Sequence, residues 1–406
     1  MGIDTGGDRA RMAQPVGRGS GEWVLLGAAA FVLVVVLPVL NLLPPSSPFA
    51  VSDFTLNLFG KFLAYGILAL GLDLLWGYAG VLSLGHGVFF GLGAYAMGMH
   101  LMLEIGTRGV YGSTLPDFMV WNQVTELPPF WRPFYSSIVT VAAIVAIPAA
   151  FAAIFGYLAF RSRIRGVYFS IITQALALTA WLVFNRNETN LGGTNGLADF
   201  KTIFGVPLNQ PGTQRGLYVV TALTLIAAYV ACRWITRSKV GRVLVAIRDS
   251  ETRVLFSGYA PANFKLFAFV VSAILAGIAG ALYVPQVGII TPARMGVLPS
   301  IEMVVWVAVG GRGTLIGAVL GAVGVNWLRS VLTTSYPDLW LYALGGLFMG
   351  VVLLFPDGIV GAATHALRRV RRPGRVLRTG APIPDMTLRP SGAQGPAVSV
   401  PERETP

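Results

Sequence analysis

Charge is scarce in this chain. Only 12% of its 406 residues are Asp, Glu, Lys or Arg, while 54% are hydrophobic and the mean hydropathy is +0.67. A soluble domain cannot keep its surface wet with so little charge, so the solvent is largely lipid. Cysteine is nearly missing too: Cys232 stands alone, cannot form a bridge within the chain, and falls in an apolar run where it reads as a small buried hydrophobe. The three histidines, His86, His100 and His365, are too scattered for a metal cluster. No Gly-x-x-x-x-Gly-Lys-Ser/Thr phosphate loop is present, because the only Gly-Lys pair, Gly60-Lys61, is followed by Phe62, so any ATP hydrolysis must come from another chain. Gly91-x-Gly93-x-x-Ala96 has the form of a dinucleotide fingerprint, but it sits in an apolar run with no flanking strand and reads as helix packing. With no Ser-His-Asp or paired-carboxylate arrangement either, the enzyme reading is weak, and no catalytic residue, metal, cofactor or nucleic acid is expected.

Long apolar runs are what the chain has in abundance. Those expected in the membrane cover 22–42, 54–76, 78–103, 136–160, 167–184, 216–236, 266–284, 300–328 and 339–355. The fold class is therefore an all-α polytopic membrane protein with about 8–10 transmembrane helices, broken or re-entrant segments included. Arg9, Arg11 and Arg18 precede the first run, which is too long for a signal-peptide core and reads as a retained helix. With the N-terminus inside, the inside segments 1–21, 161–166, 237–265 and the tail after 356 hold 20 Lys and Arg, against 7 in the outside loops 104–135, 185–215, 285–299 and 329–338. This gives a cytoplasmic arm 1–21, a membrane-spanning domain 22–361 with a cytoplasmic loop 237–265, and a basic, then Pro-rich tail 362–406 that reads as disordered.

The same orientation requires run 300–328 to cross an even number of times, since the loop before it is outside and the basic tail inside. It is too short for two full spans and is broken by Gly310-Gly311-Arg312-Gly313-Thr314, so a broken or re-entrant helix pair is expected; an ordinary kinked helix is the alternative. Non-helical backbone at membrane depth survives only against protein or a watery cavity. A second glycine-dense stretch, Gly77 to Gly93, offers close helix approach. Ionisable residues within runs are functional candidates: Lys61, Asp73, His86, Glu302 and Arg312. Lys61 and Asp73 read equally as residues near span ends, and a Glu302–Arg312 ion pair that braces the fold stands beside pathway lining. In the loop 237–265, apolar residues from Val240 to Leu255 recur at three- and four-residue intervals with charges between, an amphipathic helix outside the bilayer core that either rests on lipid or docks a cytoplasmic partner.

Several blocks resemble a known family. Gly77-Tyr-Ala-Gly-Val-Leu-Ser-Leu-Gly-His-Gly-Val-Phe-Phe-Gly-Leu-Gly-Ala-Tyr95, Gly192-Gly-Thr-Asn-Gly196, the loop 237–258 and Ser300-Ile-Glu-Met with Val309-Gly-Gly-Arg-Gly-Thr look like the permeases of branched-chain amino-acid-type ABC importers, over most of 50–361. Leu115-Pro-Asp-Phe-Met119, Arg161-Ser-Arg-Ile-Arg-Gly-Val-Tyr-Phe-Ser170, Arg186-Asn-Glu-Thr189, Asp199-Phe-Lys201, Val284-Pro-Gln-Val-Gly288 and Trp306 to Thr314 are closer to the second of the two paired urea permeases. The resemblance implies a sister permease, two cytoplasmic ATPase subunits and an extracytoplasmic urea-binding protein, in a prokaryotic plasma (inner) membrane with both termini cytoplasmic. It assigns the loop 237–258 to ATPase coupling, with Arg242, Arg248, Asp249, Glu251 and Gly258 as candidate contacts. The Glu-Ala-Ala-x-x-x-Gly coupling motif of other importers is not matched, because Glu251 to Gly258 is one residue longer and no Ala pair follows the glutamate. For urea, with four N–H donors and one acceptor oxygen, Gly85, His86, Gly87, Glu302, Gly310, Gly311, Arg312 and Gly313 are expected along the route, with Gly193, Thr194 and Asn195 receiving substrate outside. A branched-chain amino acid or short-chain amide is the alternative substrate, and a self-sufficient channel or secondary transporter the alternative class.

Overall fold

The computed structural model describes residues 20–361, apart from 45, 163, 165, 337, 339–341, 343, 344, 347, 348 and 351–357. Most of the arm 1–21, most of the run 339–355 and the tail 362–406 lie outside the described residues. The first apolar run forms α1 (Ser20–Phe31), a π turn (Val32–Val36) and α2 (Leu37–Leu40). Pro38 explains the irregular turn, since it has no N–H to give and its ring crowds the carbonyl four residues back. After a bend in which Asn41 Nδ2 donates to Val51 O and Asp53 Oδ1, both at 2.8 Å, Ser52 caps α3 (Asp53–Asp73), its Oγ accepting from the Thr55 N–H. A second π turn (Leu74–Tyr78) ends this helix.

A helix apolar on every side has to be covered on every side. Every residue of α3 from Phe62 to Asp73 is buried, and in α4 (His86–Ile105) only Leu92 and Glu104 are not. A loop holding the short α5 (Asp117–Trp121) leads to α6 (Ser137–Arg161) and α7 (Val167–Phe184), both largely exposed along apolar faces suited to lipid. Next come β1 (Leu197–Ala198), the hairpin β2 (Thr202–Ile203) and β3 (Val206–Pro207), then α8 (Pro211–Arg237), α9 (Lys239–Phe256), α10 (Pro261–Val287), β4 (Ile289–Ile290), α11 (Val297–Gly310) and α12 (Leu315–Ser335). The core is α3, α4 and α10; α6 covers α4 and α10, α8 covers α3, and α11 with α12 covers the remaining side of α3. Among the described residues, seven helices are long and apolar enough to cross a membrane, and Leu26–Leu40 and Val297–Gly310 are shorter apolar helices. The chain is thus an all-α polytopic membrane protein.

Glycines set the closest approaches within the core. A side chain at Gly93 would run into Gly277, and one at Gly280 into the Phe90 carbonyl, so α4 and α10 cross backbone to backbone. Gly310 meets Gly317 and Gly321 in the same way, and Gly321 also faces the Trp306 carbonyl. Residues 306 and 310 therefore lie beside 321 and 317, and α11 and α12 form an antiparallel hairpin instead of one kinked helix. Its turn depends on Gly311 (φ 121°) and Gly313 (φ 78°), conformations closed to most side chains.

One run differs from its expected extent. Residues 79–85 of the run 78–103 are not helical: Gly80 (φ 73°) turns the chain tightly beneath Arg248, and helix starts only at His86. The chain after α10 returns without helix over 288–296, within the expected loop 285–299, apart from a 3-10 turn (Pro292–Met295), before α11 begins. Gly280→Val should cost about 3 kcal/mol by overpacking. It should lower the melting temperature of the detergent-solubilised protein, while Gly216→Val, which meets open space, leaves it unchanged. A Gly280→Val protein that melts with the wild type would show the crossing to be looser than described.

Candidate translocation site

The non-helical segments that lead into α4 and α11 meet inside the bundle. The extended approach to α4 lies along α7, where Ser170 Oγ donates to Leu82 O (2.8 Å) and the Leu84 N–H donates to Thr173 Oγ1 (3.0 Å). The Gly87 N–H donates to Ser300 Oγ (3.1 Å), whose own proton goes to Gly296 O (3.0 Å). Ser300 thereby links the first turn of α4 to the first turn of α11. A side chain at Gly85 would strike the Thr173 carbonyl, and one at Gly87 the Arg294 carbonyl. His86 Nε2 shares a 2.6 Å hydrogen bond with Ser272 Oγ, and its Nδ1 is buried without a partner. Ser272 is about 17 Å along α10 from Pro261, so this polar seam sits deep in the bundle. The N–H groups at a helix start have no intrahelical partners and carry partial positive charge; two such starts here face each other across Ser300. Gly85, His86 and Gly87 are fully enclosed in this chain by itself.

Glu302 does not pair with Arg312. Its Oε2 accepts from Arg329 Nη1 at 2.7 Å, a bond between α11 and α12, whereas the Arg312 guanidinium sits 5.3 Å from the centre of the Trp76 ring beyond the end of α11. The hairpin explains this, since Arg312 belongs to the turn, two helical turns away from Glu302. Lys61 lies within electrostatic reach of Arg294 and Arg329. Arg294 and Arg329 fall between the apolar runs, where charge is expected in a loop; only the folding back of 288–296 and the length of α12 bring them against the bundle.

The α11–α12 turn is held at the same end as α9. Asp73 Oδ1 accepts from the Gly313 N–H (2.7 Å) and Arg248 Nη1 donates to Gly77 O (2.7 Å). Asp73 is wholly buried, and its second oxygen has no hydrogen-bond partner. Gly310 and Gly311 are buried and Arg312 is exposed. α9 turns Gly241, Leu244, Ile247 and Val254 inward, as the three- and four-residue spacing requires, but it is kinked at Ser250 (φ −162°, ψ 94°) and not one straight helix. Of the coupling candidates, Arg248 and Glu251 are engaged internally, the latter with Lys265 at 2.8 Å; Arg242, Asp249 and Gly258 are exposed. At the far end of the bundle, Gly192, Gly193 and Gly196 all have positive φ and set Thr194 and Asn195 outward. This loop packs on the 3-10 turn Pro292–Met295, whose Arg294 and Met295 carbonyls abut Gly87, and β1 ties it to β4 with Leu197 opposite Ile290.

A lipid-embedded helical bundle with two interrupted segments meeting at a buried polar seam, and an amphipathic helix at one end, defines a membrane transport subunit. The sequence profile of the family described as "Branched-chain amino acid transport system / permease component" matches residues 54–355, and the chain belongs to that family. It is 26% identical over 356 residues to the high-affinity branched-chain amino acid transport system permease protein LivM of Escherichia coli, covering 82% of this chain and 74% of that one. It is also 26% identical over 319 residues to a probable LivM of Methanocaldococcus jannaschii, covering 73% and 90%. The ribose import permease protein RbsC of Escherichia coli is 23% identical over 205 residues, covering 48% and 61%. No solved structure matches.

Removing Arg329 leaves Glu302 in an almost dry site. Arg329→Ala should cost about 2 kcal/mol, below the range for a fully buried pair because the Arg329 side chain stays 36% exposed. Glu302→Gln in the same background should recover part of the loss, and thermal melts of the four proteins that add without coupling would show that the bond contributes nothing.

Proposed function

We propose that this chain is the permease subunit of an ATP-binding-cassette importer for urea, working with a sister permease, two cytoplasmic ATPase subunits and an extracytoplasmic urea-binding protein. It lies in a prokaryotic plasma (inner) membrane with both termini cytoplasmic. The observation that carries the reading is where the urea-type blocks fall. Four of the six, 115–119, 186–189, 199–201 and 284–288, gather at the end of the bundle opposite α9, while 161–170 and 306–314 reach the α9 end. There Phe118 lies 5.9 Å from the Trp131 ring, Trp131 Nε1 donates to Asn190 O (3.1 Å), and Gly288 leads into β4. Lys and Arg retention puts α9 inside and this end outside, so four of the six blocks that resemble the urea type lie at the end a delivered solute meets first.

From that surface the route runs past Gly193, Thr194 and Asn195 to the seam at Gly85, His86, Gly87 and Glu302, and leaves beside Gly310, Gly311, Arg312 and Gly313. Helix-start N–H groups and imidazole offer donors to the urea oxygen, while carbonyls and Glu302 accept from its nitrogens. The ATPases dock on the exposed side of α9, at Arg242, Asp249 and Gly258. Movement of α9 reaches the core through the Arg248–Gly77 and Asp73–Gly313 hydrogen bonds. Asp249→Lys should therefore weaken ATPase docking. Asp73→Asn should leave docking intact and lower urea uptake per ATP hydrolysed by about tenfold, and normal coupling in both would favour an α9 that only rests on lipid.

The names of the LivM relatives favour a second substrate reading, a branched-chain amino acid, with short-chain amides between the two. Uptake of labelled urea and labelled leucine by the whole complex with ATP and binding protein separates them. Urea uptake displaced by urea and not by leucine is expected, and the reverse pattern would replace urea with leucine. Uptake by this chain alone in nucleotide-free liposomes would point instead to a channel or secondary transporter.

A further inference from the structure

The end of the bundle opposite α9 carries a cluster of ionisable side chains that the route above does not use. His100 and Glu104 lie one turn apart on α4, and Arg108 follows in the 3-10 turn (Gly106–Arg108) that closes it. His100 is buried, and its Nδ1 lies 2.7 Å from the carbonyl oxygen of Phe134, shortly before α6. A carbonyl only accepts, so Nδ1 carries a hydrogen. Nε2 then faces two groups, Glu104 Oε1 and Ser137 Oγ, each at 3.5 Å. With a proton on Nε2, the imidazolium is engaged at both nitrogens and offsets the Glu104 charge. Without it, a lone pair points at the carboxylate and only the Ser137 hydroxyl can donate to it. Glu104 is badly placed to lose that proton, because its Oε2 is buried without a hydrogen-bond partner. Arg108 does not take over: its Nη2 donates to Glu104 O (2.6 Å) and Thr202 Oγ1 (3.0 Å), and its Nε to Ile105 O (3.3 Å). Among the described residues, no other ionisable side chain bonds or pairs with His100 or Glu104; the hydroxyls of Ser137 and Thr140 and the ring of Phe204 complete the surroundings.

What this pair holds is the hairpin β2–β3. Its register, Thr202 opposite Pro207 and Ile203 opposite Val206, leaves a two-residue turn, Phe204-Gly205, with φ of 48° and 80°. Glycine adopts such angles freely and phenylalanine does not. The strained turn is held from α4: Glu104 Oε1 accepts from the Gly205 N–H (3.2 Å), and the Phe204 ring lies 5.2 Å from the imidazole, tilted by 38°. A cationic imidazole attracts that ring more than a neutral one.

We propose that His100 and Glu104 form a proton-operated clasp on the hairpin 202–207, closed when both imidazole nitrogens are protonated and loosened when Nε2 is not. The proposal takes from the proposed function only the orientation, which opens this end to the external medium, and is independent of the substrate. Histidine changes charge between about pH 5 and pH 8, so the clasp opens as the external pH rises. The hairpin follows directly on block 199–201 and packs on α4, so acid holds this part of the outer surface on the bundle and alkali frees it.

The test is hydrogen–deuterium exchange of the segment 202–207 in the assembled complex at about pH 5.5 and pH 8, corrected for the intrinsic exchange rate at each pH. Protection should be at least about threefold higher at the lower pH, and a smaller ratio would overturn the proposal. Glu104→Gln keeps an oxygen for the Gly205 N–H and gives Nε2 an amide N–H, so its hairpin should stay protected at both pH values. A Glu104→Gln hairpin that still loosens at high pH would place the titration elsewhere, and one unprotected at both would make Glu104 a merely structural acceptor; either overturns the clasp. Glu126→Gln, at an exposed carboxylate in the loop after α5, should keep the wild-type dependence, and its loss there would equally count against a local device. Should Glu104→Gln fail to assemble, His100→Gln, which cannot titrate, decides: its ratio should fall to about one, and a retained ratio would sink the idea.

Discussion

Backbone N–H and C=O groups within a lipid-embedded bundle have no water to fall back on, and that constraint decides where each non-helical segment can lie. The strand of chain before α4 leaves the helical pattern and must find partners sideways. It finds them on α7, a helix that buries only Phe169, Ser170, Thr173 and Ala177. Two of those four side chains bond the extended chain directly, so the narrow inward stripe of α7 exists largely to satisfy backbone that is not its own. Ser300 meets the same need from the other side, satisfying Gly87 while returning its proton to Gly296. The polar seam is therefore a structural requirement of breaking the helices before it is anything chemical, and any solute that uses it competes with bonds already made.

The end of the bundle near α9 is organised by a different economy of contacts. Asp73 is buried at the close of a wholly enclosed helix, where a carboxylate is expensive unless something holds it. One oxygen takes the Gly313 N–H, and Arg312 and Arg248 stand within electrostatic range. Arg248 in turn reaches past Gly80, a position where any side chain would block it, to the Gly77 carbonyl. Three elements distant in sequence are thus fastened through backbone groups, which do not change rotamer and hold fixed distances.

Much of this was legible in the chain itself. Apolar runs locate helices well because lipid tolerates little else, and the helix 167–184 coincides with α7 from end to end. The break at Gly310 to Thr314 announced a hairpin because charge counting demanded an even number of crossings. What could not be read was partnership. Glu302 and Arg312 are ten residues apart and invite pairing, yet the hairpin swings Arg312 out of reach and brings Arg329 in from α12. Likewise 79–85 is apolar enough to pass for helix; only contact with Ser170, Thr173 and Arg248, all remote in sequence, pulls it straight. The kink at Ser250 in α9 has no proline or glycine to betray it.

The short ladder between Leu197–Ala198 and Ile289–Ile290 has a mechanical meaning. It rivets the glycine loop at the far end to the strip of chain that feeds α11, and that strip carries Arg294 and ends at Ser300. A push on the loop from above would therefore bear on the strip that leads to the place where the two helix starts touch.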